Sequence, residues 1–187
     1  VSDRDGTFDL FRVRPADASA GWTGSFDFVT EPVVATPAEE TGPRISPDGR
    51  QLAWLEGAGR LMVRPLAGGE PRTLVEHWSD VDFRWSPDGR WLACSIEDQW
   101  ANAEIWVVAA DGSRRENVSR HPDFDLSPEW SPDGRRLLWL SKRHDASFDV
   151  WSVWLTRADH ERTAEQWLAE WKAKDEPAKD EPKKGQA

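Results

Sequence analysis

Three short apolar runs in this chain ignore the alternation expected of a surface strand. They are Leu52-Ala53-Trp54, Leu92-Ala93-Cys94 and Leu137-Leu138-Trp139. Neighbouring strand residues point to opposite faces, so a run apolar at every position is a strand buried on both sides. A second kind of run follows each of them: polar or acidic, then aliphatic, then large and apolar. It reads Arg60-Leu61-Met62, Glu104-Ile105-Trp106 and Asp149-Val150-Trp151, and recurs near the start as Asp9-Leu10-Phe11. Ahead of each doubly buried strand stands the same pentapeptide, Ser-Pro-Asp-Gly-Arg, at Ser46–Arg50, Ser86–Arg90 and Ser131–Arg135. It is a turn with a mechanism. Pro47, Pro87 and Pro132 pre-set φ, Asp48, Asp88 and Asp133 bond local backbone, and Gly49, Gly89 and Gly134 supply a left-handed residue.

The copies stand about 40 and 45 residues apart, the length of one propeller blade. The expected fold is therefore all-β: a β-propeller fragment of three to four four-stranded blades, the first and last incomplete. The propeller is expected over residues 1–157. A partial first blade covers 1–36, with an insertion at 14–31 and a closing strand near Pro32–Thr36. Further blades cover about 40–75, 80–119 and 125–155. Fourth strands are expected near Arg72–Val75 and Arg114–Ser119, with none evident in the last blade. Ser2–Gly6 matches the hairpin at 141–147, so the chain opens halfway through a blade. Such a set does not close a propeller of four to eight blades, and its open edges need cover, so the chain reads as a piece of a larger protein. Residues 158–174 are predicted helical, with Thr163 and Gln166 as a capping box and Trp167 and Trp171 on one face. The tail 175–187, Asp-Glu-Pro-Ala-Lys nearly repeated, has nothing apolar to bury and is predicted disordered.

Thirteen Trp and no Tyr follow largely from the repeat, since Trp54, Trp85, Trp106, Trp130, Trp139 and Trp151 fall on equivalent positions. A net charge of −10 argues against a nucleic-acid partner, which needs a basic surface. No stretch approaches the roughly 20 apolar residues of a membrane span. The opening residues are strand-like rather than leader-like, and the compartment stays open between cytoplasm and periplasm. One cysteine, Cys94, excludes an internal disulfide and reads as a core thiol.

The candidate chemistry is sparse. His77, His121, His144 and His160 each lie near carboxylates, but all fall in predicted loops or at a helix start without ligand spacing. They read as solvated loop residues, with no metal site and no cofactor. Six residues before the Ser of each turn stands an acid: Glu40, Asp80 and Asp125. Equivalent points of a propeller form a ring, so these three define either an acidic rim at one channel mouth or separate caps of local turns. Arg44, Arg84 and the turn arginines read as surface ion pairs or carboxylate binders. The insertion around Trp22 and Phe26-Asp27-Phe28 is either a contact patch or packing within its own blade.

Trp-Ser-Pro-Asp-Gly-Arg, followed by an apolar strand and an Ile/Val-Trp strand, resembles the repeat of TolB-type and tricorn-protease-type propellers. Ser2–Phe11 is also similar to that group. The last blade followed by Glu161–Trp167 and a Lys/Glu-rich stretch resembles tricorn-like proteases in particular. The resemblance implies propellers that admit and filter peptides for a catalytic domain of the C-terminal-processing serine-protease type. It implies peptides or unfolded segments as partners, with the remaining blades and the protease domain in the parent chain. No catalytic residue carries over, because no G-x-S-x-G or strand-to-helix serine elbow is present. The alternative implied by the resemblance is a TolB-like scaffold that holds partner proteins on its channel face.

Overall fold

The computed structural model describes residues 1–3, 6–143 and 147–175. His144, part of the hairpin at 141–147 and the tail at 176–187 lie outside the described residues. Among the described residues, thirteen strands form four antiparallel sheets in chain order. The first blade pairs β1 (Leu10–Pro15) with β2 (Phe28–Val34). The second runs β3 (Glu40–Ile45), β4 (Gln51–Glu56), β5 (Arg60–Pro65) and β6 (Arg72–Val75). The third runs β7 (Asp82–Trp85), β8 (Trp91–Glu97), β9 (Ala103–Ala109) and β10 (Arg115–Asn117). The fourth holds β11 (Asp125–Trp130), β12 (Arg136–Ser141) and β13 (Asp149–Trp154). β2 begins earlier than the expected closing strand, because Phe28 to Pro32 pair along β1 from Pro15 to Phe11, which takes both ends of the expected insertion into the sheet. The insertion itself carries one short turn, α1 (Gly21–Gly24).

β4 and β8 are buried on both faces, whereas β12 alternates: it buries Leu137, Trp139 and Ser141 but leaves Leu140 exposed and Leu138 half-buried, a correction to the sequence expectation, because no described blade packs on its far face. Leu52, Leu92 and Leu137 are all buried and equivalent, each opposite a residue of the next strand: Arg64, Val108 and Val153. Ala53 and Leu55 of the second blade pack with Leu92, Cys94 and Val108 of the third. Ala93 and Ile105 of the third pack with Leu137 and Trp139 of the fourth. Each buried aliphatic side chain contributes about 1.5–3 kcal/mol of transfer free energy, which is the main term holding blade to blade.

The pentapeptide turns are three copies of one hydrogen-bond net. The Ser hydroxyl donates to the Asp carboxylate at 2.6 Å in every copy. The same hydroxyl accepts the amide of Gln51, Trp91 or Arg136 at 2.9–3.0 Å. The Asp accepts the following Arg amide at 3.0–3.1 Å. Gly49, Gly89 and Gly134 sit at φ of 72°, 67° and 68°, which glycine adopts without cost. Just before the turn, the Trp85 indole donates to the Arg44 carbonyl of the preceding blade at 3.0 Å, and Trp130 donates to Arg84 at 3.1 Å. The Trp of Trp-Ser-Pro-Asp-Gly-Arg is thus an inter-blade clamp. The second blade has Ile45 at that position, and it is exposed.

After β13 come two helices rather than one, α2 (Arg157–His160) and α3 (Ala164–Asp175). The break follows from the capping box: the Thr163 amide donates to Gln166 Oε1 and the Gln166 amide to Thr163 Oγ1, which starts a new helix. Trp167 stacks on Trp154 of β13 at 4.3 Å between ring centroids. Arg135, the turn arginine of the fourth blade, lies over Trp167 and pairs with Asp159 and Glu170. Its counterparts Arg50 and Arg90 stay on their own turn aspartates.

Candidate functional site

The strands have two ends. One carries the pentapeptide turns. The other carries the β4–β5, β8–β9 and β12–β13 connections together with the blade-to-blade links at 76–81 and 118–124. At this loop end Trp78 is 61% exposed and Trp100 77% exposed, although tryptophan is ordinarily largely buried. Phe124 and Phe148 are exposed in other loops of this end, with Lys142 over both rings.

The loops that display these rings are pinned. His77 places one ring nitrogen 2.5 Å from the Glu97 carbonyl and the other 3.1 Å from the Ser79 carbonyl. That ties the link holding Trp78 to the hairpin holding Trp100. Asp98 accepts the amides of Trp100 and Asn102 at 2.7 and 3.0 Å, and these bonds, that from Asn102 foremost, hold its carboxyl below the ordinary value. Ala101 takes a positive φ of 62°, which turns the hairpin tip outward with Trp100 on it. Gly59 closes the neighbouring turn against the same link: a Cβ there would lie 2.0 Å from the Ser79 carbonyl oxygen.

The same loops expose the acids Glu76, Asp80 and Asp123, together with the cation Arg120. The three acids picked out by spacing do not share one environment. Glu40 and Asp125 are buried and equivalent, facing Glu56 and Ser141 across their sheets. Asp80 is exposed and one residue out of register. The reason is a bulge. β3 shifts register between Thr41 and Arg44, and β11 between Leu126 and Glu129, with Gly42 and Ser127 at positive φ. β7 pairs without a shift, so continuing its register one step puts buried Val81 opposite Ile96 where the other blades have their acid. A ring of three equivalent carboxylates at an open mouth is therefore not what the fold builds.

Each buried acid has its own partners. Asp125 accepts the Trp139 indole at 3.1 Å and Arg143 at 3.2 Å. Glu40 accepts the amide and hydroxyl of Thr36 through Oε1, while among the described residues no hydrogen-bond donor meets Oε2 and no acceptor meets the buried Trp54 indole nitrogen. Burial pushes the Glu40 carboxyl above the ordinary value. The Thr36 bonds pull it back, and the Asp9 carboxylate adds to the rise.

The other candidates take structural places. His121 stands 3.9 Å from Asp123, and His160 donates its amide to Thr156 on α2. Burial pushes the Cys94 thiol up to about 12, which leaves it protonated and unreactive. Arg84 bridges Asp82 and Glu129 between blades. Trp22 of the insertion packs on Phe28 at 5.4 Å. No group of three or more His, Cys, Asp or Glu among the described residues is arranged to hold a metal ion. Trp78 and Trp100 are not among the residues that repeat spacing selects; both lie off the repeat positions that account for the structural tryptophans, and that is the sequence signal they carry.

A comparison with protein families matches residues 29–170 to the TolB beta propeller domain. The chain belongs to this family. Among curated relatives, it is 33% identical over 121 residues to Tricorn protease homolog 1 of Streptomyces coelicolor, which covers 60% of the chain and 10% of that protein. It is 32% identical over 88 residues to the Tol-Pal system protein TolB of Anaeromyxobacter dehalogenans, covering 41% and 20%. Among solved structures, the putative TolB from Agrobacterium tumefaciens superposes with a TM-score of 0.56 at 24% identity, over 71% of this chain and 48% of that one. The TolB-family chain thus spans a tenth to a fifth of the length of these curated relatives.

Proposed function

We propose that this chain is a non-catalytic propeller module of a tricorn-like serine protease, gating or filtering peptide access to a catalytic domain outside it. The observation that carries the reading is the pinned pair of exposed indoles, Trp78 and Trp100, amid surface acids at the loop end. Exposed indole faces attract cationic side chains at about 0.5–1 kcal/mol each, and carboxylates nearby add an attraction that salt screens. The fitting ligand is an extended peptide with Lys, Arg or a free amino end. The identity with a tricorn protease homolog supports a peptide-handling role for the parent protein. The test is twofold. A mixed fluorogenic peptide library is expected to show no turnover with the purified chain, while Lys-rich peptides bind weakly and lose affinity as salt rises. Turnover that a single Ser or His substitution removes overturns the non-catalytic assignment. Family membership favours a second reading, a TolB-like scaffold for a folded partner, and capture of such a partner without affinity for short peptides supports it instead.

A further inference from the structure

At the turn end, the seam between the second and third blades is closed by two side chains that have no counterpart in the next seam. Gln51, which opens β4, donates through Nε2 to the Gly89 carbonyl of the following turn at 3.3 Å. Arg72 reaches from β6 toward the Ala110 carbonyl, with Nη1 at 3.4 Å, and a Cβ on Gly112 would meet its stem at 3.2 Å. Register identifies the equivalent residues one blade on. Trp91 opens β8 as Gln51 opens β4. Glu116 pairs with Val107 as Arg72 pairs with Val63, and Leu155 donates its amide to Arg135 as Ala110 does to Arg90. An indole and a carboxylate thus stand where an amide and a guanidinium fill the earlier seam.

Between the third and fourth blades the result is an open groove of about 640 Å³. Its apolar walls are Val107, Val118, Leu155 and the half-buried rings of Trp91 and Trp130. Of the charged side chains that line it, Arg90 is held by Asp88 at 2.7 Å and Arg114 by Glu116 at 3.2 Å, which leaves Asp133. The other turn aspartates pair with their own arginines, but Arg135 has turned to Asp159 and Glu170. Lys174, whose field also reaches Asp133, bonds Glu170 at 3.0 Å. Among the described residues no cationic side chain forms an ion pair with Asp133. The Ser131 hydroxyl, donating at 2.6 Å, holds its carboxyl below the ordinary value and so keeps it ionised.

We propose that this groove receives the guanidinium of an arginine from an extended partner peptide, in the place that Arg72 fills from within at the earlier seam. Asp133 supplies the unmatched counter-charge, and the rigid fork of guanidinium donors suits carboxylates such as Asp133 and Glu116. The Trp91 and Trp130 indoles supply faces on which a weakly hydrated planar cation stacks. An ammonium is a compact, strongly hydrated point charge and gains less from the same walls. The earlier seam cannot take such a ligand, because Gln51 and Arg72 occupy it. The groove opens at the opposite end of the strands from Trp78 and Trp100, so the inference stands whether or not the loop end binds peptide.

The test follows the indole N–H resonances of the chain by NMR, with those of Trp91 and Trp130 assigned through Trp91→Phe and Trp130→Phe. Two blocked peptides of about seven residues, Gly and Ser around a central Arg or citrulline, are titrated in. Citrulline keeps the shape of arginine and removes its charge. The Arg peptide is expected to shift the Trp91 and Trp130 signals and, by those shifts, to bind at least about 10-fold more tightly than the citrulline peptide, as a charge-assisted bond implies. Glu116→Arg rebuilds the earlier seam at an exposed position and is expected to abolish the response at these two indoles while the remaining resonances keep their places. Equal responses to the two peptides overturn the proposal, as do shifts confined to Trp78 and Trp100. A response of Trp91 and Trp130 that survives in Glu116→Arg overturns it as well.

Discussion

Glu40 and Trp54 hold the two halves of a bond that Asp125 and Trp139 make in the fourth blade. The longer glutamate turns instead to Thr36, leaving an acceptor and an indole donor buried and unmet among the described residues. Because the folded Glu40 carboxyl is raised above the ordinary value of 4.5, the unfolded chain ionises first as pH rises, and native stability falls across that interval. Glu40→Gln removes the charge and is expected to raise the melting temperature at pH 7. The gain should vanish below about pH 4, where the wild-type carboxyl is protonated in both states. Thermal melts of the two proteins at both pH values check this. Gly59 is the complementary residue. Its missing Cβ is space already filled by the Ser79 and His77 carbonyls, so Gly59→Ala must push the 76–81 link away from its blade. We expect a loss of at least about 2 kcal/mol by denaturant titration, since overpacking against backbone has no flexible side chain to absorb it.

At the scale of elements, the pentapeptide turns and the strands they join were legible because each residue of Ser-Pro-Asp-Gly-Arg has a job that backbone geometry dictates. Even the preceding tryptophan could be placed in the gap between blades, though its bond to the Arg44 or Arg84 carbonyl could not. Equivalence by residue counting failed where a bulge enters: Glu40 and Asp125 count through Gly42 and Ser127, while Asp80 counts through a regular strand. A one-residue slip exchanges inside for outside in a strand, so the acidic set split into two buried groups and one exposed. The helical segment was legible in kind but not in number, because the capping box that signals a start also enforces a break from α2.

The docking of α3 gives a prediction at this scale. Arg162, Lys174 and Arg135 hold Glu170 at about 2, against an ordinary 4.5. A lowered folded value means the carboxylate's contribution is intact above about pH 4.5 and is lost as pH falls toward 2. The near-ultraviolet circular dichroism of the Trp154–Trp167 stack should therefore fade over that window and return on neutralisation. In Glu170→Gln the same signal should be weaker at neutral pH and change less between pH 4.5 and 2.

At the scale of the molecule, blades stacked in chain order repeat one turn three times at one end, beside the β5–β6 and β9–β10 connections, and place dissimilar loops at the other. The variable end carries the exposed indoles, pinned through His77 and Asp98, and the surface acids Glu76 and Asp80. Such features sit outside the repeat register, which is why the repeat foretold the scaffold more fully than the surface that uses it. The central claim is that this loop end binds cationic peptides. It is tested most directly by titrating a Lys-rich peptide into the chain and into a Trp78→Ser/Trp100→Ser double variant, following binding by calorimetry at low salt. Both substitutions remove exposed side chains, so circular dichroism of the double variant should match the parent. We expect its affinity to fall at least about 10-fold, in line with two lost cation–π contacts and their packing. Unchanged affinity in a folded double variant contradicts the account and moves the binding surface elsewhere on the propeller.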